Sequence, residues 1–79
     1  MNLEQFKKYL INQQNIYPDY CKKENILYKN YEVYSPQFNE KDIGLPIFYL
    51  IDKKDNIINC NKEQIFEILK LLEKSTNED

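Results

Sequence analysis

The sequence predicts one small α+β or α/β domain with an N-terminal helix, a three-stranded, mainly antiparallel sheet and a C-terminal helix. Three observations predict it. Leu3, Phe6 and Leu10 recur at helical spacing behind a capping residue. Residues 26–34 are a run of aromatic and branched side chains of the kind strands select. Residues 46–74 read as strand, polar turn, strand and helix in unbroken succession. A chain of 79 residues buries only roughly 60% of the surface its unfolded form exposes, so it supports a single dense core.

The first helix has Asn2 as its cap and Gln5 as the capping-box partner. Glu4 and Lys8 form a favourable pair one turn apart on its outer side. Its stop is soft: residues 12–15 are polar and Pro18 forbids continuation, while residues 8–12 could alternatively form a short strand. Pro18–Asp19 reads as a turn or a helix start, and residues 21–27 as a short second helix or a loop. In the strand over 26–34, Leu27, Tyr31 and Val33 are expected on one face. Tyr28, Glu32 and Tyr34 are expected on the other, with their polar tips toward water. Ser35–Pro36 is expected to end that strand, and 36–45 to connect.

Residues 47–51 are apolar without alternation, which predicts a central strand covered on both faces. Residues 52–56 form a polar turn, and 57–60 return antiparallel. Asn61 caps the last helix with Gln64 as its box partner, and Ile65, Phe66, Ile68, Leu69 and Leu72 give it a wide apolar face. On this reading Leu69→Ala costs about 2–5 kcal/mol. Lys70 and Lys74 suit the negative end of the helix dipole, and 75–79 form a frayed polar tail.

Absent residue types bound the chemistry. There is no His, so the commonest general base and metal ligand is missing, and no Arg to grip a phosphate or carboxylate in a planar fork. A net charge of −2 argues against a broad nucleic-acid surface, and Lys22–Lys23 and Lys53–Lys54 read as separate pairs in solvated turns. Asp52, Asp55 and Asn56 lack the alternating oxygens and closing Glu of a calcium loop. No cofactor or metal motif stands out. Lys, Asn, Ile and Tyr make up nearly half the chain while Ala is absent, the signature of an AT-rich genome such as a low-GC bacterium or its phage.

Asn2, Glu4, Gln5, Lys7 and Lys8 break any apolar leader, and no run approaches the length of a membrane span. A cytoplasmic location is the resulting expectation, with Cys21 and Cys60 reduced and mostly buried.

The stretch 44–52, with Pro46 before an apolar strand, followed by Asn56-Ile57-Ile58 and a helix, resembles the C-terminal half of thioredoxin-like and glutaredoxin-like proteins. Residues 17–23, then Leu27 and 30–33, resemble a glutaredoxin active-site helix and its second strand. The resemblance implies a first strand over 8–12 and Pro46 as a cis-proline facing Cys21. It also implies thiol redox chemistry at Cys21. The family's cysteine pair with two intervening residues is absent: Tyr17 precedes Pro18, and Cys60 lies beyond the hairpin.

Tyr17, Tyr20, Tyr28, Tyr31 and Tyr34 crowd into 18 residues with Asp19 and Glu32 among them. Tyrosine offers large contact area at low entropic cost and is enriched at interfaces. The leading expectation is a non-enzymatic protein-interaction module, an inhibitor or adaptor that docks through this Tyr- and acid-rich face. The alternative is a degenerate glutaredoxin-like thiol protein using Cys21 beside Pro46. A homodimer pairing through the edge of the 26–34 strand is a third.

Overall fold

The computed structural model describes residues 1–39 and 46–76. Helix α1 spans Leu3–Gln14 and opens on the expected box: the Gln5 N–H donates to Asn2 Oδ1 at 2.8 Å, and the Asn2 N–H to Gln5 Oε1 at 3.0 Å. Residues 8–12 are therefore helical. The chain leaves α1 through Asn15, whose φ of 54° is left-handed and turns the backbone out of the helix.

The next segment departs from the sequence reading. In place of a second helix or a loop, β1 runs Tyr20–Tyr28 and β2 runs Tyr31–Gln37. The stretch 26–34 is thus the closed end of a hairpin. Lys29 and Asn30, both left-handed at φ 50° and 70°, make its two-residue turn. Adding β3 (Tyr49–Ile51) and β4 (Ile57–Asn59) gives four strands where three were expected, all antiparallel in the order β1-β2-β3-β4.

Pro36 lies inside β2 opposite Cys21. It is tolerated there because β3 pairs only with Glu32–Tyr34, so beyond Tyr34 the ladder runs on one side of β2 alone. The hairpin turn also reassigns faces. Tyr28 pairs with Tyr31 and joins Val33, whereas Leu27 pairs with Glu32 and stays exposed. Between Lys23 and Leu27 the β1 register shifts, and this bulge carries Glu24 into the interior.

The sheet is covered on both sides. Phe6 and Leu10 of α1 pack with Tyr34, Tyr49 and Ile51 on one face. On the other, Ile68 of α2 (Lys62–Thr76) packs with Tyr28, Val33, Phe48 and Leu50. Successive residues of β3 enter opposite cores, which explains the unalternating apolar run. Asn61 and Gln64 exchange the expected capping bonds at 2.8 and 2.9 Å. Within the expected apolar face of α2, Phe66 is exposed. The helix reaches Thr76, so residues 75 and 76 of the expected tail are helical, and residues 77–79 lie outside the described residues.

Between β3 and β4 the Asp52 carboxylate organises the turn. It accepts from the Lys54 and Asn56 N–H groups and from the Asn56 side-chain amide, and the Asn56 bonds hold it below its ordinary range. Asp55 accepts from the Met1 ammonium at 2.7 Å, tying the N-terminus to this turn.

Candidate functional site

The seven residues expected to form one docking face are divided by the fold. Tyr28 and Tyr34 are core residues, only 4% and 2% exposed. The Tyr28 hydroxyl donates to Glu67 Oε2 at 2.9 Å, linking β1 to α2, and this bond is the main cause of its raised pKa. The Tyr34 hydroxyl donates to Met1 O at 2.8 Å, and burial followed by the charge of Glu32 raises its pKa. Their tips meet protein, not water, because two helices cover the sheet where one solvated face was expected.

Tyr31 is half-buried against the α2-side core. Glu32 is engaged by Lys23 across the ladder, and the hydrogen bond and charge of Glu32 raise the Lys23 pKa. Since 31–34 lie in the inner strand β2, that part of the expected edge is covered; among the described residues the edge strands are β1, which holds 26–28, and β4. Lys22, Lys23 and the bulge blunt the β1 edge for strand pairing.

Tyr17, Asp19 and Tyr20 remain together at the open end of the β1–β2 hairpin. Tyr17 is 67% and Tyr20 54% exposed. The backbone beneath them is fixed. Ile16 packs on the α1-side core and Pro18 is buried. The Asp19 N–H donates to Gln37 O at 2.9 Å, and Asp19 Oδ2 accepts from the Asn39 N–H at 2.6 Å. Tyr20 stands opposite Gln37, so Phe38, also exposed, emerges at the same end. Phe38 was hidden in the sequence because it falls in a segment read as connecting loop. Its signal is a large aromatic one residue beyond a strand that continues through a proline.

Glu24, set inward by the bulge, belongs to a satisfied polar chain. Gln37 Nε2 donates to Ser35 Oγ at 2.9 Å, Ser35 Oγ lies 3.5 Å from Glu24 Oε1, and Lys22 Nζ lies 3.6 Å from that oxygen. Ser35 is fully buried, which removes it as a nucleophile open to substrate.

Cys21 and Cys60 lie on opposite faces of the sheet, the first against the α1-side core and the second against the α2-side core. Burial raises the Cys21 thiol, opposed by the charge of Lys7, and pushes Cys60 up to about 11. Across the ladder Cys21 faces Pro36. Pro46 is exposed, and the peptide bond before it involves Leu45, outside the described residues. Where the resemblance places a strand at 8–12 and a helix from Pro18, the chain has α1 and β1.

Among the described residues no three His, Cys, Asp or Glu gather as metal ligands, and no helix is long and apolar enough to cross a membrane. Compared with protein-family models, with curated proteins and with solved structures, the chain matches none.

Proposed function

We propose that the chain is a non-enzymatic protein-binding module that docks through the aromatic end of the β1–β2 hairpin. One observation carries this reading: Tyr17, Tyr20 and Phe38 stand exposed on a backbone held rigid by Asp19, Gln37 and Asn39. Large aromatics displayed on a preordered framework lose little entropy on docking and serve as anchors at interfaces. An inhibitor or adaptor role, encoded by a low-GC bacterium or phage, is the part of this proposal that rests on composition.

The test is affinity capture from the source cells with the native chain and a Tyr17→Ser, Tyr20→Ser, Phe38→Ser variant. The three side chains contribute little to either core, so the variant should melt where the native chain does and lose its specific bound protein. Equal capture by both chains would remove the proposal.

The thiol alternative has one supporting observation, the charge of Lys7 near Cys21, set against the larger effect of burial. Alkylation rate against pH separates the two. Both thiols are expected to react with midpoints above the ordinary 9.0, that of Cys60 near 11. A Cys21 midpoint below neutrality would instead establish a reactive thiolate. The shift has a stability counterpart. Because the folded state favours the neutral Cys60 thiol, its contribution is whole below pH 9.0 and is lost as pH rises toward about 11.

A further inference from the structure

The meander places the β1–β2 and β3–β4 turns side by side, at the end of the sheet opposite Tyr20. Between them lies an open cleft of about 540 Å³, lined by lysines 29, 53 and 54 together with Asn30, Tyr31, Asp52 and Asn56. In the sequence these lysines belong to unrelated turns separated by more than twenty residues. The fold makes them one group.

Its charge is unbalanced. Among the described residues, the only carboxylates paired with cations are Glu24, Glu32 and Asp55, and none of their partners is Lys29, Lys53 or Lys54. Lys29 lies over the Tyr28 ring, 5.4 Å from its centroid, and its ammonium also interacts with the Tyr28 hydroxyl, a neutral partner that leaves its charge uncompensated. The one carboxylate in the cleft, Asp52, already has both oxygens engaged by Lys54 and Asn56 donors. Asp55, in the same turn, is held by the Met1 ammonium. The lining therefore holds three lysines against one carboxylate, itself hydrogen-bonded within its own turn and already under the charge of Lys54, in a chain whose net charge is −2.

The backbone under these side chains is preset. Lys29 and Asn30 are both left-handed in a tight turn, and the Asp52 bonds fix the other rim. Asn30, Tyr31 and Asn56 add neutral hydrogen-bonding groups among the cations. Several point charges with interspersed neutral donors suit a ligand carrying more than one phosphate group.

We propose that the cleft between the two turns binds a small polyphosphate anion, with Lys29, Lys53 and Lys54 as its charge-bearing contacts. The site is independent of the aromatic end, so either can fail without the other.

Amide chemical-shift titrations by NMR, at constant ionic strength, test it with inorganic tripolyphosphate and with ADP as probes. Either probe should give saturable shifts centred on residues 29–31 and 52–56. Equal affinity for both assigns recognition to the phosphate chain, whereas tighter ADP binding with added shifts in the Tyr31 ring assigns it to a nucleotide. The Lys29→Asn, Lys53→Gln, Lys54→Gln variant keeps a residue tolerant of left-handed backbone at the tight turn. Its affinity should fall roughly tenfold or more, the loss expected from removing even one charge-assisted hydrogen bond. Lys54→Glu alone leaves the backbone bonds to Asp52 available and gives the same reading should the triple variant fold poorly. Shifts that rise without saturation for both probes, or undiminished binding by a folded variant, overturn the proposal.

Discussion

Phe6→Ala is expected to leave the chain largely unfolded at room temperature, or to lower its melting temperature by more than about 12 °C. Phe6 is fully buried at the centre of the α1-side core. Its ring meets Tyr34 and Tyr49 edge to face, with centroids 5.2 and 5.3 Å apart and interplanar angles of 73° and 70°. Removing a buried Phe costs about 3–5 kcal/mol, and lost aromatic pairs add roughly 0.5–1.5 kcal/mol each to a simple area estimate. Proteins hold roughly 0.05–0.15 kcal/mol per residue, so a domain this small has little beyond that sum. Urea unfolding followed by tyrosine fluorescence measures it. A midpoint within the error of the native chain would show that α1 does not hold the sheet as described.

Ile68→Ala should be the comparable lesion on the other face, costing about 2–5 kcal/mol. Ile68 is fully buried on α2, packed with Tyr28, Val33, Phe48 and Leu50. Leu69, from which the apolar periodicity led the same cost to be expected, is only partly buried beside that cluster. Leu69→Ala should therefore cost distinctly less than Ile68→Ala under identical denaturant conditions. The opposite ranking would mean that α2 is rotated about its axis relative to the arrangement described.

Both helix starts were legible because Asn2–Gln5 and Asn61–Gln64 are local signals, complete within four residues. The second hairpin was legible because a polar turn separates two apolar runs. The first was not, and its turn explains why: Lys29–Asn30 adopts a conformation usually announced by glycine. Once that turn is missed, strand parity beyond it is misjudged, and Tyr28 and Leu27 exchange faces. The register shift in β1 further erases the alternation by which an edge strand is recognised.

The candidate docking residues suffered from the same loss. Which tyrosines face solvent depends on the two helices that cover the sheet, a long-range fact that spacing along the chain does not carry. Tyr17 and Tyr20 survive because they stand at the hairpin's open end, beyond the reach of either core cluster. The lysine cleft was invisible for a related reason. Only the folded meander makes neighbours of turns so far apart in sequence.

The strand order β1-β2-β3-β4 has a kinetic meaning as well. Every strand finds its partner in the next one along the chain, and no crossover must be closed before pairing begins. Each hairpin can therefore form on its own microsecond timescale, and contacts of low sequence separation favour rapid folding. The contacts of wide sequence separation are those of α1 with the sheet, where Phe6 meets Tyr49 and the Met1 ammonium reaches Asp55, 54 residues away. Closing the N-terminal helix onto the sheet thus carries a larger loop-closure cost than any strand pairing, in a chain whose strands pair with their neighbours in sequence.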